Sequence, residues 1–427
     1  VSHPTGVAGL STAERTVIDA VDDAWTLGLL ADLVAIPSVG GAESPAQHRV
    51  AAELEALDME VDVWDIDLAD LATDPDYSAE VERTEAIGVV GVWGGDGPAL
   101  MLNGHIDVVP VGDPTLWSTP PWQATARNGR VYGRGTADMK GGLVCALAAM
   151  RALRTAGVAP PGRVSVASVV GEEDGGTGTL ATLRRGHTAE AAVIVEPTAG
   201  AVAPRQAGAL GFRLSIRGAP AHGAVRTEGV SAIEKFEIVH AALRSLEQRR
   251  NAAFSDPLFA GHDLPLSLSI GTVRAGEWSS TVPDTLVCEG RYGVAPGETP
   301  VAAQRVFEDA VATTGDPWLA AHPPVVEWWG GQFHPATTDL DAGIIGLVAG
   351  CHEVVTGSVA PVTGVPYGSD LRHLVNRGAI PSVLYGPGDA RIAHRADEFV
   401  PMADLAAVTR SLAVLVMRFG DPAHRGR

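Results

Sequence analysis

The chain has 427 residues, and 51 Asp plus Glu against 31 Lys plus Arg give a formal net charge of −20. That acidic excess excludes a basic nucleic-acid surface, and apolar runs such as residues 144–150 fall far short of the ~18 residues a membrane helix needs. A length beyond the ~250–300 residues of one usual core predicts two domains, or one large domain carrying an insertion. Cys145, Cys288 and Cys351 are dispersed and form no Cys-x-x-Cys pair, so neither a disulfide scaffold nor a thiolate zinc site is signalled. With no secretory signal visible, a cytoplasmic protein is expected.

Residues 12–36 place Val17, Val21, Leu29, Leu30, Leu33 and Val34 mainly at helical spacings before Pro37, which predicts one N-terminal helix. Residues 46–57 predict a second helix, 59–64 an alternating strand, 65–85 an acidic surface loop, and 87–93 and 99–103 buried strands. A helix over 141–155 and strands over 164–170 and 191–195 continue the alternation, which predicts a three-layer α/β domain. After Gly208 the pattern changes to strands at 212–217, 266–271, 285–292 and 325–329 with helices at 231–249 and 300–313. That block is an α+β insertion, and the α/β domain resumes near Ala336.

Chemistry concentrates at strand ends. Residues 100–107 form an apolar strand closing on His105-Ile106-Asp107, where residues two apart point the same way. The pair reads either as a metal ligand with an orienting carboxylate or as a structural contact. Asp138 lies in a glycine-rich run, residues 133–142, whose spacing and missing ribose-binding acid argue against a dinucleotide site. Glu172, Glu173 and Asp174 follow one strand and Glu196 ends another, at the edge where α/β folds hold ligands. Adjacent carboxylates repel, so such a cluster calls for a cation or for solvent. His394 follows a glycine-rich turn. His105, Asp138, Glu173, Glu196 and His394 together supply nitrogen and oxygen donors without thiolate, an inventory suited to two zinc-like ions sharing one carboxylate.

These motifs, in this order, resemble the dinuclear-zinc amidohydrolases that include acetylornithine deacetylase, succinyl-diaminopimelate desuccinylase, aminoacylase and glutamate carboxypeptidase. The resemblance runs from Ala35-Ile36-Pro37-Ser38 to Glu398-Phe399-Val400. It implies a zinc-peptidase-like catalytic domain made of residues 1–209 and 334–427, with a ferredoxin-like lid and dimerisation domain at 210–333. It also implies that His105, Asp138 and Glu196 hold one Zn2+ and Asp138, Glu173 and His394 the other, with Co2+ able to substitute. Asp107 would orient His105, Glu172 would be the general base, and a cis peptide would follow Asp138.

Residues 217–223, ending in Ala-His-Gly, look like the family's lid motif, whose histidine, here His222, would reach the active site of a partner in a homodimer. Ser280 stands where the family usually has Asn, and Arg291 and Ser369 fall on substrate-contacting segments. The implied reaction is hydrolysis of a small-molecule amide, an N-acylated amine or amino acid. A dipeptidase or carboxypeptidase shares the fold, and residues 276–291 are closer to a branch that includes formylaminopyrimidine deformylase. A serine hydrolase built on Ser369, Asp370 and His373 lacks a nucleophile elbow.

Overall fold

The computed structural model describes residues 9–421. A nine-stranded mixed sheet forms its centre, in the order Glu60–Asp65, Ile87–Trp93, Arg163–Val169, Ala99–His105, Ala191–Ile194, Ser382–Leu384, Val202–Gln206, Ala336–Thr337, with Val362–Val365 also pairing with Val202–Gln206. Four neighbours in the middle, Arg163–Val169, Ala99–His105, Ala191–Ile194 and Ser382–Leu384, run parallel. Every residue of Ala99–His105 is buried, so helices cover both faces and continuous apolar runs replace alternation.

The helix Lys140–Thr155 is the main cover, buried along most of its length and packed against Ala99–His105 and the helix Met402–Arg418. Its first turn approaches the sheet so closely that a Cβ on Gly142 would lie 1.9 Å from the Val195 carbonyl oxygen. Only glycine permits that contact.

A second sheet, ordered Leu268–Ala275, Thr285–Val294, Gly208–Arg217, Val325–Phe333, is antiparallel throughout. With the helices Ala232–Ala253 and Pro300–Ala312 it follows the βαββαβ order of a ferredoxin-like unit. It has its own core, in which Phe212, Tyr292, Phe307 and Trp328 pack ring against ring.

Two expectations are corrected. Residues 12–36 form two helices, Thr12–Asp19 and Asp23–Val34, because the Asp22 side chain accepts the Trp25 N–H and caps a new start. Residues 65–85 include a short helix, Leu68–Leu71, and are not a plain surface loop. Arg83 is buried there between Glu43 at 3.0 Å and Asp174 at 2.7 Å, while Ser78 accepts the N–H of Gln332 from the second sheet. The three cysteines are buried and unpaired. Among the described residues no helix is long and apolar enough to cross a membrane.

Candidate active site

The C-terminal ends of the four parallel strands converge on one cluster. His105 closes its strand, Glu172 and Glu173 follow Arg163–Val169, Glu196 follows Ala191–Ile194, and the loop after Ser382–Leu384 leads to His394. Asp138 joins them from the turn before Lys140–Thr155, and the Asp138-Met139 peptide is cis, as expected.

Asp138 is at the centre. Its Oδ1 lies 3.1 Å from His105 Nε2 and its Oδ2 3.5 Å from His394 Nε2. His394 Nε2 is also 3.0 Å from Glu173 Oε2. Donor atoms of His105, Asp138 and Glu173 fall within 4.8 Å of one another, as do those of His105, Glu172 and Glu196. The structure thus gathers the five expected ligands and Glu172 into one site, with Glu172 Oε2 3.9 Å from His105 Nε2, farther than Asp138 at 3.1 Å.

The electrostatics are those of an acid cluster awaiting positive charge. Burial and then the charge of Glu196 hold Glu172 well above the usual carboxylate range, and burial and Asp138 do the same to Glu196. Burial also opposes ionisation of Asp138, yet hydrogen bonds with His105 and His394 outweigh it and keep that carboxyl below its ordinary value. His394 is lifted to about 11 by the charge of Glu173. Glu172 Oε1 is buried with no hydrogen-bond partner. Four carboxylates with two imidazoles fit two divalent cations better than they fit protons, because burying like charges unpaired is costly.

Asp107 acts differently from the expectation. His105 Nδ1 donates to the Asp107 backbone carbonyl at 2.9 Å, with the carboxylate at 3.6 Å. That carboxylate instead accepts the N–H groups of Glu172 and Glu173.

The other predicted residues divide. His222 and Ser280 are exposed neighbours on the second unit, where the Gly223 N–H donates to the Ser280 carbonyl at 2.7 Å. Among the described residues their hydrogen bonds stay within that unit. Arg291 lies on the strand Thr285–Val294 and donates to Ser267 Oγ and to the Pro366 carbonyl, so it spans the two units. Ser369 is corrected: it is fully buried and its hydroxyl donates to Gln206 Oε1 at 2.5 Å, which makes it an anchor for its loop and leaves no group to face a substrate. The serine-hydrolase alternative fails on the same contact, since Ser369 bonds Gln206 and His373 Nε2 has no partner.

Sequence reasoning left Glu398 without a role. Its Oε1 accepts the N–H groups of Ala137 and Asp138 at 3.0 and 3.2 Å, and Oε2 takes Arg134 at 2.6 Å. An acid four residues past the candidate ligand His394 was the signal the sequence offered.

The peptidase family M20/M25/M40 matches residues 101–418. The chain is 30% identical over 414 residues to N-formyl-4-amino-5-aminomethyl-2-methylpyrimidine deformylase of Halalkalibacterium halodurans, over 91% of this chain and 93% of that protein. It is 28% identical over 396 residues to acetylornithine deacetylase of Myxococcus xanthus, over 88% of this chain and 98% of that protein. The solved structure of the di-peptidase Dug1p from Saccharomyces cerevisiae shares the fold, with a TM-score of 0.76 over 96% of this chain and 98% of that one at 15% identity. Strand-end donors, fold and family match coincide: the chain belongs to peptidase family M20/M25/M40 and is a hydrolase of amide bonds.

Proposed function

We propose that the enzyme removes a small acyl group, formyl or acetyl, from the nitrogen of a small amine. The observation that carries the reading is Glu172, a buried carboxylate whose Oε1 is unpartnered within a cluster of donors able to hold cations. Full-length similarity to a deformylase and a deacetylase supports the acyl class. His105, Asp138 and Glu196 would hold one ion and Asp138, Glu173 and His394 the other, Zn2+ with Co2+ able to substitute. When bound, such ions supply positive charge that polarises an acyl oxygen and acidifies water.

Glu172 takes a proton from the attacking water and returns one to the departing nitrogen, so acid and amine leave separately. Arg291 is partly buried with no carboxylate partner among the described residues, and burial alone lowers its pKa. It is placed to meet a polar or anionic part of the substrate. Residues 1–209 and 334–427 form the catalytic domain in this reading, and 210–333 a lid through which two chains pair. His222 then reaches the partner's site as a donor to the oxyanion. The exposed position of His222, without a contact to its own acid cluster, supports that arrangement.

A panel of N-formyl, N-acetyl and N-succinyl amines with dipeptides, assayed with zinc or cobalt, tests the reading. Turnover should be highest on the N-formyl or N-acetyl amines. Preference for dipeptides would overturn it in favour of a peptidase.

A further inference from the structure

A cavity of about 190 Å³ lies where the two units meet, and none of the candidate metal ligands lines it. Asp76, Tyr77 and Arg372 face it from the first unit and Gln304 and Trp328 from the second, with His334 where the chain crosses back between them. Pockets for drug-sized ligands measure ~300–1,000 Å³, so this one suits a small ion or metabolite.

Arg372 sets the chemistry of the cavity. It is 3% exposed, with its guanidinium 5.2 Å from the centre of the Phe333 ring. The guanidinium donates to the Gly175 carbonyl, and its Nε has no partner. Among the described residues Arg372 enters no ion pair. Burial lowers its pKa to about 10, and the charges of Asp370, Glu172 and Asp76 only partly offset that effect. The group is still a cation at neutral pH, and a buried cation without a paired anion is unfavourable.

The surroundings suit an anion. Asp76 is the one acid among the lining residues, and Arg377 faces it with Nε at 4.0 Å. Burial and then the charge of Arg372 hold the His334 imidazole below its ordinary value, so it is neutral with one N–H to give. Gln304, half-buried on the helix Pro300–Ala312, brings an amide donor from the opposite wall.

We propose that this cavity is a binding site for a small oxyanion, a phosphate or a carboxylate, held by Arg372 together with Gln304 and His334. The planar guanidinium matches the oxygens of either group. An ion seated there touches both units at once and ties them together. Arg372 also holds Gly175, two residues past Glu173, so the ion and the acidic turn share one side chain.

The test titrates full-length, metal-loaded protein with inorganic phosphate and, separately, with acetate by calorimetry, and follows Tm at each concentration. Wild type is compared with Gln304→Glu, which sets a carboxylate in the cavity opposite Arg372, and with Arg372→Gln. Anions that meet the active-site metals do so in wild type and Gln304→Glu alike, so the difference between these two reports the cavity. Gln304→Glu should weaken binding at this site by about 10-fold or more and remove the anion-dependent rise in Tm, with kcat unchanged when no anion is added. A difference seen with phosphate alone assigns the site to phosphates, and one seen with acetate alone assigns it to carboxylates such as the acid that the reaction releases. Equal binding and equal Tm shifts in wild type and Gln304→Glu, or no binding of either anion, overturn the inference whether or not Arg372→Gln folds. Both measurements are made without turnover, so failure of the acyl-amine reading leaves this result standing.

Discussion

Asp107 holds Glu172 by its backbone: one carboxylate oxygen accepts the Glu172 N–H at 3.2 Å and the other accepts the N–H of Glu173 at 3.1 Å. The same residue takes the His105 Nδ1 proton on its main-chain carbonyl. One residue therefore sets the orientation of an imidazole and of two neighbouring acids. Asp107→Asn keeps the shape but replaces one acceptor oxygen with a donor amide that opposes an N–H. Metal affinity should fall about 10–100-fold, as for other groups that orient ligands, measured by competition with a chelator.

Two divalent ions should bind per chain about 3.5–4 Å apart, the spacing of two-metal hydrolytic sites. Elemental analysis of reconstituted protein gives the count, and chelation should abolish turnover. Activity indifferent to chelator would contradict the assignment of Asp138 as a shared ligand.

Glu172 and Glu173 are adjacent yet assigned opposite tasks, which two isosteric variants separate. Glu172→Gln should retain metal and lose about 10²–10⁴-fold in kcat, because an amide accepts no proton from water. Glu173→Gln should lose metal at one site. Equal metal loss in both would make Glu172 a ligand, which its closeness to His105, 3.9 Å between Nε2 and Oε2, would then explain.

His222 in trans predicts complementation between two inactive variants. A heterodimer of His222→Ala with Glu172→Gln has one site in which both groups are intact. Separately tagged, metal-loaded heterodimers should recover roughly half of wild-type turnover if the sites act independently. No recovery would place His222 in its own chain's site or outside catalysis.

Arg83 bridges Glu43 and Asp174 in a buried triad, and Asp174 also accepts the Val81 N–H at 2.7 Å. Arg83→Met leaves two buried carboxylates without a counter-charge and should cost about 3–5 kcal/mol, read as a lower urea midpoint. The turn at Glu172 should loosen with it, so kcat should fall even in protein that remains folded.

Runs with one consistent pattern were legible residue by residue. Ile87–Trp93 was predicted with its observed bounds, since a strand with water on neither face must be apolar throughout. The five candidate ligands stood out as a set: His105 and the acids after two buried strands sit where α/β folds hold ligands, and Asp138 and His394, beside glycine-rich turns, complete a nitrogen and oxygen inventory without thiolate. The break between Thr12–Asp19 and Asp23–Val34 was hidden because Asp22 has no apolar signature, and only its capping bond distinguishes it from a surface acid.

The supports of the site were hidden for a deeper reason. Glu398 meets Asp138 across 260 residues, Ser369 meets Gln206 across 163, and Arg83 meets Asp174 across 91. Hydrogen bonds over such separations leave no periodicity in the chain. Thus the sequence alone determined which residues have metal-binding chemistry and which strands deliver them. Tertiary packing decided that Ser369 turns inward and that Asp107 holds the acidic turn. Each depends on which distant group fills the space beside it.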